Sequence, residues 1–242
     1  MLSEVHHARS LDELNRIAAE LVCAAANQCV AAYGSFSLVL AGGNTPRQLY
    51  ELLAAPAFTG KMDWRSMHLF WGDERWVAPN HPHSNFGMAA KSLLAHIDIP
   101  AANIHQIRTD LRTPEAAAAA YEKELQDFFI NSPQKNPGFD MVLLGMGTDG
   151  HTASLFPDSP VLNITDRLVA AVRAPNASPP VDRITLTLPA LNKARDVLFL
   201  LSGRKKIEIM QSIIEEQAKS GRLYPAAGIR PRNRLMWLAA QE

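Results

Sequence analysis

FDMVLLGMGTDGHTASLFP, residues 139–157, begins with an apolar run, Met141 to Leu144, that reads as a buried strand. The strand stops at Gly145. Gly147 and Gly150 follow, with Asp149, His151 and Thr152 around them. Glycines let a backbone turn sharply and approach a ligand closely. A carboxylate and an imidazole therefore share a bent loop at the carboxyl end of a strand, where open α/β sheets bind ligands. Such a pair suits proton chemistry. Gly145-x-Gly147-x-x-Gly150 also has the form of the dinucleotide-binding fingerprint. That fingerprint needs a helix opening at its third glycine. Pro157 and Pro160 follow too soon for a crossover helix, so a dinucleotide is not the expected ligand.

Outward from this stretch, strands and helices alternate. Leu11, Leu14, Ile17, Leu21 and Val22 recur at helical spacing, with Ser10 as N-cap and Glu13 completing a capping box. Ser35 to Leu40 reads as a strand that breaks at Ala41-Gly42-Gly43-Asn44. Thr45 is then the expected cap of a helix, with Pro46 at its first position and Leu49, Tyr50, Leu52 and Leu53 on its buried face. Met67 to Trp71 is a second strand, followed by Asp73-Glu74-Arg75. A loop from Pro79 to Asn85 leads to a helix ending near Ala95. Pro114 to Ile130, led by an alanine run, is a third helix, and Asn131 to Gly138 a surface loop. Residues 158–167 read as loop. Leu168 to Val172, Arg183 to Leu188, Asp196 to Leu201 and Leu235 to Ala239 are further strands. Ile207, Met210, Ile213 and Ile214 line one side of a late helix. The alternation predicts one α/β domain over residues 1–242, with a mainly parallel, doubly wound sheet.

Composition narrows the function. The 242 residues carry 24 basic and 24 acidic side chains, a formal net charge of zero, which argues against a nucleic-acid or polybasic membrane surface. Leu11 to Ala32 is interrupted by Asp12, Glu13, Arg16 and Glu20, so it is not a membrane span. The N-terminus lacks the pattern of a signal peptide. The only cysteines are Cys23 and Cys29. On one helix they lie roughly 9 Å apart along the axis, too far for a disulfide. Free thiols without an export signal lead to the expectation of a cytoplasmic protein.

Other polar clusters divide between structural and chemical readings. Gly42-Gly43-Asn44-Thr45 is either a tight turn with a capped helix or a phosphate site at a helix N-terminus. Arg204-Lys205-Lys206 places cations in the first turn of a helix, against its dipole, as a bound anion would favour. Singly, each of the three reads as a solvated cation. Arg183 taken alone is a surface arginine, and Asp73-Glu74-Arg75 either positions a polyhydroxyl ligand or forms a structural ion pair, the second being the reading in isolation. His81-Pro82-His83 has no third metal ligand at suitable spacing, so no metal is expected.

Taken together, these motifs resemble the 6-phosphogluconolactonase family, within the superfamily shared with glucosamine-6-phosphate isomerase/deaminase. The resemblance rests on Ala41 to Pro46, Trp71 to Arg75 with Asn85, Gly145 to Pro157, Arg183 to Thr187, and Ser202 to Lys206. It implies a three-layer α/β sandwich, and hydrolysis of 6-phospho-D-glucono-1,5-lactone to 6-phospho-D-gluconate in the oxidative pentose phosphate pathway. It implies no cofactor, and a monomer or homodimer. By the same resemblance His151 is the base and Asp149 its neighbour. Gly42, Gly43, Asn44, Thr45, Arg183 and Lys206 are phosphate ligands, and Arg75 is a substrate contact. Asn44 stands where the family commonly has serine, and Ala239 and Ala240 where relatives often have aspartate. The isomerase/deaminase branch resembles His-x-Ala-Phe-Asn-Glu-Pro after the glycine loop, whereas His151 is followed by Thr-Ala-Ser-Leu-Phe-Pro. A non-catalytic sugar-phosphate sensor would keep the phosphate ligands but would not need Asp149 and His151.

Overall fold

The structure, a computed structural model, describes residues 3–132, 138–216 and 224–241. Of the expected Asn131–Gly138 loop, residues 133–137 lie outside the described residues. In chain order the strands are β1 (Ser3–Ala8), β2 (Phe36–Leu40), β3 (Met67–Trp71), β4 (Asp73–Arg75), β5 (Ile104–His105), β6 (Met141–Leu144), β7 (Val169–Val172), β8 (Arg183–Leu186), β9 (Asp196–Ser202) and β10 (Arg234–Ala240). The helices are α1 (Leu11–Tyr33), α2 (Asn44–Ala54), α3 (Pro56–Thr59), α4 (Asn85–Ser92), α5 (Pro114–Asn131), α6 (Leu188–Asn192) and α7 (Arg204–Glu216).

Among the described residues seven strands form one sheet in the order β1-β10-β9-β6-β2-β3-β5, and every neighbouring pair is parallel. Helices flank it, giving the expected three-layer α/β arrangement. All residues of β2 and β6 are buried, as strands covered on both faces must be, and this is why they read as unbroken apolar runs. Phe199 and Trp237 face each other across β9 and β10, with rings stacked at 4.1 Å. From β2 the chain steps outward to β3 and β5, then returns to the other side of β2 as β6. The β2/β6 boundary is thus the topological switch point, where the diverging loops leave a crevice.

Three strands were not anticipated. β1 is a polar edge strand, β5 has two residues, and β4 joins β8 and β7 in a small antiparallel sheet, order β4-β8-β7. The Ser10 cap is present, its Oγ accepting from Glu13 N at 3.2 Å. Glu13 accepts instead from Arg9 N, so the capping box is only half formed. Thr45 is not the cap of α2. Gly43, at φ 104°, starts the helix two residues earlier, and no side chain caps it. The reason is conformational: φ in that range is open to glycine at no steric cost.

Below the crevice, Asp140 ties β6 to β2. Its carboxylate accepts from the Ser37 N–H at 2.8 Å and from the Ser37 hydroxyl at 2.7 Å, and both residues are buried. Ser37→Ala removes one donor from a buried carboxylate. The expected cost is about 1–3 kcal/mol, read as a melting temperature lower by about 2–4 °C per kcal/mol. An unchanged melting temperature would show that the hydroxyl is dispensable.

Candidate active site

A cavity of about 870 Å³ opens at the carboxyl ends of β2, β3, β6 and β9. Gly42, Gly43, Asn44, Thr45, Arg75, Asp149, His151, Arg183 and Lys206 all line it. Segments far apart in sequence thus meet at the switch point. No helix opens at Gly150. The chain there forms a Thr152–Leu155 bridge and a single 3-10 turn at Pro160–Asn163.

His151 Nδ1 lies 2.6 Å from Asp149 Oδ1, and the same oxygen accepts from the His151 backbone N–H at 3.1 Å. Partial burial pushes the Asp149 carboxyl up. The backbone N–H, the charge and the ring hydrogen bond of His151 together outweigh that, so it lies below its ordinary value. An ionised carboxylate only accepts, so Nδ1 donates to it, and in the neutral imidazole Nε2 keeps the free lone pair. The glycines make this possible. A Cβ on Gly147 would stand 2.2 Å from His151 Nδ1 and 2.6 Å from Asp149 Oδ1. Gly150 has φ 77°, and a Cβ there would meet the Tyr224 ring at 2.3 Å. Gly147→Ala should therefore push the imidazole off Asp149 while leaving the β6 core intact. The expected result is a turnover number lower by about 10²-fold at nearly unchanged melting temperature. Wild-type turnover would show that the close approach is immaterial.

The opposite wall comes from the small sheet. Arg75 and Arg183 are direct partners across β4 and β8. Like charges directly opposite each other in a ladder repel. Arg183 is only 4% exposed, so it is not the surface arginine that its isolated reading suggests. Of the polar residues that alternate in RITLTL only Arg183 lines the cavity; Thr185 Oγ1 accepts from the Ser154 N–H, and Thr187 caps α6. Arg183 Nη2 donates to the Pro179 carbonyl at 3.0 Å, and Arg75 Nη1 to the His83 carbonyl at 2.8 Å. The Nε atoms of both are buried without a hydrogen-bond partner among the described residues. Burial pushes the Arg183 guanidinium below the ordinary arginine value; Asp73 opposes the shift and Arg75 adds to it. Two facing cations with unused donors suit a multivalent anion.

Of Arg204, Lys205 and Lys206, only Lys206 lines the cavity; Arg204 pairs with Glu208 at 2.9 Å. Burial holds the Lys206 ammonium below the ordinary lysine value. The first turn of α2, which no side chain caps, lines the same cavity, and the N–H groups of a helix's first turn lack partners within the helix. Thr45 Oγ1 and Ser202 Oγ, 3.2 Å apart, join that turn to the end of β9. Gly42 has a packing reason as well, since a Cβ there would fall 2.1 Å from Asn85 Oδ1.

Glu74 does not line the cavity. It accepts from the backbone N–H groups of Arg75, Asn85 and Phe86 and from the Ser84 hydroxyl, holding the start of α4. Asp73 does line it, with its carboxylate bound by Ser154 Oγ at 2.7 Å and Asn85 Nδ2 at 3.1 Å. Phe156 and Arg173 are among the lining residues that sequence reasoning did not assign to the site. Phe156 packs its ring 4.9 Å from that of His151, with the Arg183 guanidinium 5.8 Å away. Arg173 follows β7 in a segment that gave no motif. Among the described residues no group of three or more His, Cys, Asp or Glu side chains converges to hold a metal, and no helix is long and apolar enough to cross a membrane.

Fold and cavity define a class: an open parallel α/β sheet whose switch point holds a hydrogen-bonded carboxylate–imidazole pair in one cavity with Arg75, Arg183 and Lys206. The family model described as glucosamine-6-phosphate isomerases/6-phosphogluconolactonase matches residues 9–237, and the chain belongs to that family. A 6-phosphogluconolactonase of Synechocystis is 43% identical over 224 residues, covering 92% of this chain and 90% of the relative. A crystal structure of 6-phosphogluconolactonase from Thermotoga maritima superposes with a TM-score of 0.83 at 28% identity, covering 99% of this chain and all of the other. A monomeric glucosamine-6-phosphate deaminase shares the fold, with a TM-score of 0.81 at 20% identity over 98% of this chain and 97% of its own. The fold is thus common to both branches. The chain is an enzyme of this family and sides by sequence with its lactonases.

Proposed function

We propose that the chain hydrolyses 6-phospho-D-glucono-1,5-lactone to 6-phospho-D-gluconate, the lactone-opening step of the oxidative pentose phosphate pathway. The observation that carries this is the 2.6 Å Asp149–His151 pair in the same cavity as Arg75, Arg183 and Lys206. A lactone is an activated ester, so water suffices as nucleophile. The His151 Nε2 lone pair takes a proton from water as its oxygen bonds to C1. The carbonyl electrons move onto oxygen, and Arg75 or loop N–H groups stabilise the resulting oxyanion. Collapse re-forms the carbonyl and breaks the bond from C1 to the ring oxygen. That oxygen takes the proton back from Nε2, and the new carboxylic acid loses its own to solvent. Arg183, Lys206 and the 42–45 turn hold the phosphate, so remote binding energy orients C1 against His151. All these groups come from one chain, so a monomer suffices.

The test compares two substrates on the wild-type chain. Lactone loss well above its spontaneous rate, with no ketose or ammonia formed from glucosamine 6-phosphate, is the expected outcome. The reverse pattern would move the chain to the isomerase branch, and inertness to both would favour a sensor.

A further inference from the structure

The site loops leave the sheet at the ends of β2 and β3, and each departure is closed by a tyrosine hydroxyl. Tyr50 Oη donates to the Ala41 carbonyl at 2.8 Å and accepts from the Ala41 N–H at 2.8 Å. Tyr121 Oη does the same for Trp71, accepting from its N–H at 2.9 Å and donating to its carbonyl at 3.1 Å. Both tyrosines are buried. Each hydroxyl has one donor and acceptor lone pairs, so it can satisfy both backbone groups of one residue at once.

The register shows why this is needed. β2 pairs with β6 only through Leu38 and Val39, and β3 with β5 only through Leu69 and Phe70. Ala41 and Trp71 lie beyond those ladders, where a neighbouring strand would otherwise satisfy them. Buried backbone groups without partners are costly. Burial holds both phenols above their ordinary values, so they stay protonated and keep donating.

Tyr50 sits on α2, the helix whose first turn forms the glycine-loop wall, and reaches back to Ala41 on the entering side of that loop. The bonds close a ring around Gly42, Gly43 and Asn44. Ala41 itself lines the cavity. Tyr121, from α5, fixes Trp71 immediately before Gly72 and Asp73, which line it too.

We propose that Tyr50 and Tyr121 are positioning residues, whose hydroxyls stand in for absent neighbouring strands and set the glycine loop and the Asp73–Arg75 strand at the distance that substrate binding requires. The assignment of those walls to substrate binding rests on the proposed function. The ring geometry does not.

The experiment uses Tyr50→Phe and Tyr121→Phe, which keep the buried rings and delete only the hydroxyls. Tyr50→Phe should raise the KM for the lactone about tenfold, short of the roughly 10²-fold that a 1 Å misplacement brings, with kcat changed less than about threefold. Tyr121→Phe should do likewise through Arg75. A lower melting temperature with KM unchanged in both would make the hydroxyls merely structural and overturn the proposal. If a variant does not fold, hydrogen exchange on the wild-type chain decides. The Ala41 and Trp71 amides should be as protected as those of Leu38 and Leu69, and exchange at open-loop rates would overturn the proposal. A wild-type chain inert to the lactone would remove the proposed substrate but leave the exchange result to judge the ring.

Discussion

His151→Ala is expected to lower lactone turnover by about 10²–10⁴-fold, the range that a positioned acid–base group supplies. KM should change little, because in the proposed mechanism the imidazole meets C1 and not the phosphate. Asp149→Asn is the informative companion. An amide in place of the carboxylate can donate to Nδ1, so the ring proton moves to Nε2 and the lone pair leaves the reacting side. The variant should lose about 10²-fold while the side-chain volume is conserved. The pH dependence has a definite sign. Asp149 titrates below its ordinary value, so it stays charged as the medium is acidified past the range where a carboxylate normally protonates. Any fall in rate caused by protonation of Asp149 should therefore come only below that range, and a fall that tracked the ordinary carboxylate range would contradict the held charge. Near wild-type turnover by His151→Ala, after correction for spontaneous hydrolysis, would remove His151 from the chemistry.

The second large effect belongs to Arg183. Methionine at this position keeps most of the aliphatic volume and deletes the charge. Hydrogen bonds to charged groups are worth about 1.5–3 kcal/mol, so KM should rise about 10- to 150-fold with a smaller change in kcat. The melting temperature should not fall in proportion. Arg183 faces Arg75 across the ladder, and removing one of two opposed cations relieves their repulsion. A large loss of stability with an unchanged KM would make Arg183 a structural residue of the small sheet. Binding without loss of KM in both Arg183→Met and Lys206→Met would leave the phosphate to other groups.

Much of this architecture was legible in the residues. β2, β3, β6 and β9 announced themselves because strands in the middle of a parallel sheet are buried on both faces. The loop chemistry was legible for a related reason: Gly145, Gly147 and Gly150 permit shapes that side chains would block, and Asp149 and His151 are close in sequence. What escaped was decided by tertiary contacts. β4 has three residues, too few for any periodicity. β1 reads Ser-Glu-Val-His-His-Ala, polar because it lies at an edge. Arg183 looked like a surface residue because the small sheet that buries it could not be read from one strand. Charge pattern alone did not separate Lys206 from Arg204 and Lys205; the family resemblance singled it out, and of the three only Lys206 lines the cavity. Thr45 matched the cap pattern, but the backbone freedom of Gly43 started the helix sooner.

The pairing of β1 has a consequence for how the chain comes to be folded. Ser3 lies opposite Leu235, and among the described residues β1 has no other neighbour in the sheet. On the ribosome, the strand that emerges early must wait for β10 before it gains a partner. β9, beside β6, also waits for β10 on its other side. Contacts between such distant segments close slowly, because chain entropy is lost before the contact repays it. The polar character of β1 then has a use during synthesis. A strand that waits in the open with few apolar side chains offers nascent neighbours little to aggregate on.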